Sequence, residues 1–334
     1  MKIAMIGFGN VGRGFLELLA ARRETLLTDE GFAPKVTAIV TRHGALMNTD
    51  GIDLTRPIEL SQSPISEDVA ANIVDAAIAG ADVLVELTPT NVQTGGAGLA
   101  HCRAALNAGK HVVTANKGPL VVAYRELAAL AKEKGVQFRF EGTVMGGTPS
   151  IALGLETLAT AGVRSVRGIV NGTTNFILTQ MEAGKTYAEA LKQAQELGYA
   201  EADPTADVEG WDAAAKVVIL ANTLMGGDLR INDVHREGIA QITPDMIAEA
   251  NVAGKRWKLI AEAKRDGMGV AASVRPTLVP LTDSLAFVGG GMNALTYETE
   301  AIGPVTLIGA GAGGKATGFA VLTDVLKVWR GIQA

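Results

Sequence analysis

Gly7, Gly9 and Gly12 stand in the run GFGNVG, directly after a short apolar, β-branched run at 2–6 and directly before a stretch with apolar residues at helical spacing. A strand, a glycine turn and a helix in that order constrain the fold strongly. The glycines let the turn tighten, let the backbone approach a pyrophosphate, and let helix and strand pack closely, with the phosphates on the helix N-terminus. The competing reading is glycine in an ordinary tight turn, and the flanking strand and helix weigh against it.

Strand and helix patterns go on alternating. Strands are expected at 35–40, 81–87, 110–115 and 136–142, with helices at 11–27, 98–109 and 124–135. The pattern is weaker between 40 and 82, where 57–66 is expected to be a loop. Such alternation indicates βαβ units and a doubly wound parallel sheet. After Glu141 the run GTVMGGTPS changes the character of the chain. Strands are expected at 163–172, 268–280 and 295–309, and helices at 151–160, 175–184, 186–198, 207–225 and 249–267. A glycine-rich turn at 309–314 then enters a last helix. A chain of 334 residues exceeds what one core usually serves. The expected fold class is α/β: an N-terminal Rossmann doubly wound nucleotide-binding domain (1–140 and 305–334) and an α+β substrate and dimerisation domain (141–304), with the C-terminal helix returning to the nucleotide domain.

A net charge of -5 without long basic runs argues against a nucleic-acid surface or a polybasic membrane patch, and favours a small-molecule partner. The glycines interrupt the N-terminal apolar run, so no signal peptide is expected. The most apolar stretch, 213–225, contains Lys216 and Asn222, so no membrane helix is expected. The sole cysteine, Cys102, lies in a helical pattern and reads as a small hydrophobe. A cytoplasmic, reducing location follows as the expectation.

The second strand ends VTAIVTRHG, with no acid to bind ribose hydroxyls, and Arg42 beside His43 could accommodate a 2′-phosphate. NADP is therefore expected over NAD, against the reading of Arg42 as a solvated loop residue. ELTPTN (86–91) and TANKGP (114–119) follow later strands, where open α/β sheets bind ligands. Lys117 stands there, as a turn lysine or as an ammonium near the nicotinamide.

The densest chemistry lies at 198–216, GYAEADPTADVEGWDAAAK, which holds five carboxylates and Lys216. Asp203 and Pro204 are explained by a helix start. Asp212 and Lys216 are four apart, on one helical face. A lysine beside Val217, Val218, Ile219 and Leu220 needs a partner or a task. Hydride transfer between a carbonyl and its alcohol needs an acid at the oxygen, and a base in reverse. A tyrosine with a lysine four residues on is absent, and the four histidines fit no catalytic or metal-ligand pattern. Lys216 and Lys117 remain as candidates.

Together GFGNVG, ELTPTNVQTG, TANKGPL, EGTVMGGTP, VNGTTNFIL, the 198–216 block and GAGAGGKATG resemble the homoserine dehydrogenases, in the family's order across essentially the whole chain. That family interconverts aspartate semialdehyde and homoserine with NAD(P)H, on the route to threonine, methionine and isoleucine. The resemblance implies that Lys216 is the general acid/base, that Glu201 and Asp212 bind the homoserine end, and that Lys117 reaches substrate and nicotinamide. It implies cofactor contacts at Asn10 and Val11 in the glycine turn, Thr88, Gly198 and Gly311. It also implies a sodium ion held at Glu141, Val144, Gly146 and Thr148, and a homodimer. The chain ends just after its last helix, so no appended regulatory domain, and no threonine feedback through one, is expected. Among alternatives, a sugar or amino-acid oxidoreductase on the same plan would leave Glu201, Asp212 and Lys216 idle. A thioester mechanism needs a placed thiol, which Cys102 does not offer. A non-catalytic dinucleotide sensor would not need an intact acid/base group.

Overall fold

The computed structural model describes residues 1–60, 66–267 and 269–333, so the expected loop at 57–66 lies partly outside the described residues. The chain forms two compact units, Met1–Gly147 with Gly313–Ala334, and Thr148–Ala312.

In the first unit the strands are β1 (Lys2–Ile6), β2 (Lys35–Thr41), β3 (Gly44–Met47), β4 (Val83–Glu86), β5 (His111–Thr114) and β6 (Phe138–Arg139). They form one sheet in the order β3-β2-β1-β4-β5-β6, parallel except for the antiparallel β2–β3 hairpin. Successive β1 residues serve opposite cores: Ile3 and Met5 join one buried cluster, Ala4 and Ile6 the other. Burial on both faces is what a parallel sheet covered by helices requires. The helices are α1 (Asn10–Ala21), α2 (Arg23–Glu30), α3 (Glu67–Ala79), α4 (Gly96–Asn107) and α5 (Lys117–Lys134), joined by the C-terminal helix Gly314–Gln333. Because β1 lies between β2 and β4, the strand order reverses there and opens a crevice at the strand carboxyl ends.

Glycines bring the C-terminal helix against α1. A Cβ on Gly14 would lie 2.5 Å from Gly314 O, and one on Gly318 would collide with the Phe15 amide. Val321, Val325 and Val328 then complete the core beneath α1. One helix starts earlier than its apolar spacing suggests. Instead of beginning near 124, α5 begins at Lys117, because Asn116 Oδ1 accepts from Gly118 N at 3.0 Å and caps it. The chain kinks at Ala123, whose φ is -145°, before the expected segment.

The second unit contains β7 (Val163–Ile169), β8 (His235–Arg236), β9 (Lys255–Asp266), β10 (Gly269–Pro280), β11 (Met292–Thr299) and β12 (Gly303–Ala310), in the order β12-β11-β7-β9-β10-β8. Its helices are the single turn α6 (Ser150–Ala152), then α7 (Gly172–Glu182), α8 (Tyr187–Glu196), α9 (Thr205–Val208), α10 (Trp211–Met225) and α11 (Pro244–Val252). α10 is buried along almost its whole length and packs on β9 and β10.

Two expectations are corrected here. The stretch 249–267 is not one helix: α11 ends at Val252, Gly254 turns left-handed at φ 66°, and residues 255–266 form β9. Twelve residues of β9 pair with β10, and its other edge pairs with β7, so sheet pairing overrides a helix-compatible pattern. The stretch 207–225 is two helices, split where Gly210 takes φ 82°. The domain limits shift as well. Residues 305–310 belong to β12, paired to β11 along its length, so the chain re-enters the first unit at Gly313 rather than at 305. Among the described residues no helix is long and apolar enough to cross a membrane.

The close helix contact makes a prediction. Gly14→Val forces side-chain atoms into the Gly314 backbone and lowers unfolding free energy by about 3 kcal/mol, as overpacking does. Urea denaturation measures it, and an unshifted midpoint would show that the two helices do not depend on this approach.

Candidate active site

At the carboxyl end of β1 the three glycines do different work. Gly7 has φ 102°, and a Cβ there would lie 2.5 Å from the Leu87 carbonyl carbon. A Cβ on Gly12 would lie 2.8 Å from Gly7 O, whereas Gly9 faces open space, where a ligand can approach its backbone. Gly9 is also the N-cap of α1 and supplies no side-chain cap, so amides of the first turn, which holds Asn10 and Val11, are left for an anion. Gly7 N donates to Val40 O at 2.9 Å, tying this turn to the end of β2. There, in the β2–β3 turn, the exposed Arg42 donates from Nε to His43 Nε2 at 3.0 Å.

The ends of β4 and β5 are joined through a buried carboxylate. Glu86 accepts from Thr88 N at 3.0 Å, from the Thr88 hydroxyl, and from Thr114 Oγ1 at 3.3 Å. Asn116 Nδ2 donates to Thr88 Oγ1 at 3.3 Å, and Asn116 also caps the helix that Lys117 starts. Gly98 leaves room for this knot, since a Cβ there would lie 2.9 Å from Glu86 Oε2. Lys117 is thereby held, half-buried, at the first position of α5.

Beyond β6, Glu141 lies buried in a 3₁₀ turn, Glu141–Thr143, and its N–H donates to Asp324 Oδ2 of the C-terminal helix at 2.8 Å. Burial pushes the Asp324 carboxyl up to about 7, against the pull of that N–H, with the Glu141 charge pushing the same way as burial. Met145 and Gly146 are consecutive left-handed residues, φ 58° and 54°. Thr148, the first residue of the second unit, donates to Ala310 O at 3.0 Å. No cluster of three acidic, histidine or cysteine side chains suited to a metal occurs among the described residues.

The second unit holds the lysine and carboxylates singled out from the 198–216 block. Lys216 is 7% exposed inside α10, and its Nζ donates to Asp212 Oδ2 and to Val170 O, both at 2.6 Å. Two of the three ammonium hydrogens are thus used. Asn171 Nδ2 donates to Asp212 Oδ2 at 2.9 Å and to Asp207 Oδ1 at 2.6 Å. Burial raises the Asp207 carboxyl; Asn171 pulls it down, Asp212 pushes it up, and Lys216 and Thr173 pull it down.

The residues singled out from sequence divide accordingly. Asp212 and Lys216 meet. Glu201 stays exposed in the preceding turn, where its backbone oxygen accepts from Gln195 Nε2 at 3.2 Å, and is not bonded into that cluster. Asp203 is not an N-cap: its Oδ1 accepts from Thr205 N at 3.1 Å and Oγ1 at 2.6 Å, and Pro204 takes the cap position. Gly198 is left-handed at φ 76° with open space beside it, and buried Gly311 packs against the Asn293 amide. Sequence reasoning did not find Asn171 or Val170 O and gave Asp207 no role. The one available signal was Asn171 between an apolar strand and a helix, which reads only as a cap.

Residues 149–326 match the family model described as homoserine dehydrogenase, and residues 7–141 the one described as homoserine dehydrogenase, NAD binding domain. The chain is 42% identical over 339 residues to an NAD(+)-dependent homoserine dehydrogenase from Pseudomonas canavaninivorans, covering 98% of this chain and 96% of that one. It is 43% identical over 338 residues to the homoserine dehydrogenase of Methanocaldococcus jannaschii, covering 98% of each. Among solved structures, a homoserine dehydrogenase from Thiobacillus denitrificans superposes with a TM-score of 0.86 at 35% identity, over 100% of this chain and 74% of that one.

The raised Asp324 carboxyl yields a pH prediction. The folded state binds this proton more tightly than the unfolded chain, whose carboxyl titrates near 3.8, so stability falls as pH rises from about 4 to about 7. The loss is on the order of 4 kcal/mol. In Asp324→Asn the amide oxygen can still accept from Glu141 N, but this component is gone. Unfolding free energies of the two proteins therefore converge or cross over that window, and parallel curves would contradict the buried acid.

Proposed function

This chain belongs to the homoserine dehydrogenase family, and from that premise we propose that Lys216 carries the proton of its reaction. The reaction is the nicotinamide-dependent interconversion of L-aspartate 4-semialdehyde and L-homoserine. Bound dinucleotide supplies or accepts the hydride at the substrate carbon. The observation that carries the proposal is the ammonium of Lys216, buried in an apolar helix and aimed by Asp212 and Val170 O with one hydrogen left over. In reduction Lys216 gives its proton to the aldehyde oxygen as the alcohol forms. In oxidation the neutral amine takes the hydroxyl proton, and Asp212 stabilises the ammonium that results.

The remaining assignments follow the same reading. The first unit binds the dinucleotide through Gly7, Gly9, Asn10, Val11, Gly12 and Thr88, with Gly198 and Gly311 as further contacts. The second unit binds substrate, Asp212 and Glu201 taking the amino-acid end, while Lys117 orients substrate and shares the proton. Arg42 favours NADP: it is an exposed guanidinium beside the glycine turn, with no acid in its place to take the ribose hydroxyls. A sodium ion at Glu141, Val144, Gly146 and Thr148 fits a turn whose consecutive left-handed residues swing backbone oxygens out of regular register. It would add a fixed charge at that turn. The second unit is the dimerisation unit, consistent with exposed Ile302 and Ile308 flanking and within its edge strand β12. The enzyme works in the cytoplasm, a reading supported by the free, buried thiol of Cys102.

Lys216→Ala lowers kcat by about 100-fold to 10,000-fold, the range of a general acid/base, and leaves dinucleotide affinity unchanged. Turnover of aspartate semialdehyde at the wild-type rate would remove Lys216 from the mechanism. Arg42→Ala raises KM for NADPH about tenfold, the equivalent of about 1.4 kcal/mol, and leaves KM for NADH alone. Equal efficiency of the wild type with both dinucleotides would overturn the NADP assignment.

A further inference from the structure

Asn171 stands between β7 and α7, 4% exposed, and both ends of its amide are committed. Oδ1 accepts from Thr174 N and from Thr174 Oγ1, each at 2.9 Å, and so caps α7. Because the backbone N–H of Thr174 can only donate, it settles which end of the amide carries the oxygen. Nδ2 therefore faces the other way, and its two hydrogens go to Asp207 Oδ1 at 2.6 Å and Asp212 Oδ2 at 2.9 Å. The same Asp212 oxygen receives Lys216 Nζ at 2.6 Å, and the residue before Asn171 offers its carbonyl, Val170 O, to that Nζ at 2.6 Å. Two consecutive residues of one turn thus hold the ammonium, one directly and one through Asp212.

The charged groups facing the amide are Asp207 from α9 and Asp212 and Lys216 from α10. Two carboxylates this close repel unless a donor is shared between them. The shared donor eases that repulsion, and against the upward push of burial Asn171 draws the Asp207 carboxyl down.

We propose that Asn171 is a positioning residue of the reaction: its amide holds Asp207 and Asp212 side by side and thereby fixes the Lys216 ammonium at the substrate oxygen. The inference rests on the assignment of Lys216 as acid/base. It reaches beyond helix capping, and that difference makes it testable.

Asparagine, aspartate and serine cap helices about equally well. Asn171→Ser keeps the cap but is too short to reach both carboxylates, and Asn171→Asp keeps the cap but turns the donor into a third carboxylate. In Asn171→Ser kcat falls about 100-fold, the cost of misplacing a catalytic group, while KM for the dinucleotide stays within about twofold of wild type. In Asn171→Asp the loss is larger at neutral pH. Its activity relative to wild type recovers as pH falls, because the protonated carboxyl regains a donor hydrogen. Wild-type kcat in Asn171→Ser, or an Asn171→Asp pH profile parallel to wild type, would reduce Asn171 to a cap. If the aspartate variant does not fold, the serine variant decides alone. Lys216→Ala is assayed beside them: an inactive Lys216→Ala with a fully active Asn171→Ser sinks this inference only, whereas an active Lys216→Ala sinks the reading beneath it.

Discussion

A lysine ammonium 7% exposed in the middle of an apolar helix is the constraint around which the second unit is arranged. An isolated charge there would be costly to bury. Asp212 and Val170 O accept from it, and Asn171 donates to the same Asp212 oxygen. Those partners come from α10 itself and from the β7–α7 turn, while the sheet behind α10 buries its other faces. The helix that carries Lys216 is packed on nearly every side, so the ammonium has little freedom to move.

The first unit depends on a different condition, the absence of side chains. Gly7 lets the strand turn beneath Leu87, Gly98 leaves space for the Glu86 and Asn116 side chains, and Gly14 with Gly314 brings the C-terminal helix against α1. Each glycine exchanges conformational entropy for closeness of backbone. The result is a sheet whose carboxyl edge carries bare amides at α1, a Thr88 hydroxyl bonded to buried Glu86 and Asn116, and Lys117 at the start of a helix that Asn116 caps. A ligand binding there meets groups already in place, which lowers the ordering cost of binding.

Much of this was legible in the linear chain because the relevant residues are neighbours in it. Gly7, Gly9 and Gly12 read as a phosphate-binding turn from their place between strand and helix. Asp212 and Lys216 read as a pair because four residues make one helical turn. Where sequence reading went astray, long-range pairing had decided the matter. Residues 255–266 carry apolar residues that satisfy a helix or a strand equally well, and only β10 and β7 made them a strand. Gly254 and Gly210 were the local signals of the breaks, each left-handed and each inside a stretch read as continuous.

The sequence by itself determined the alternating α/β architecture, the glycine turn of the NAD-binding domain and the Asp212–Lys216 pair, since all three are encoded in spacings of a few residues. Tertiary structure alone decided the company that lysine keeps. Asn171 is 41 residues from Asp212 and 36 from Asp207, so no local spacing could announce that one amide joins them. It also left Glu201, close to Asp212 in the chain, outside the hydrogen-bonded group. Hydrogen bonds act over about 3 Å whatever the chain separation, and only the packed fold sets which distant groups come within that reach.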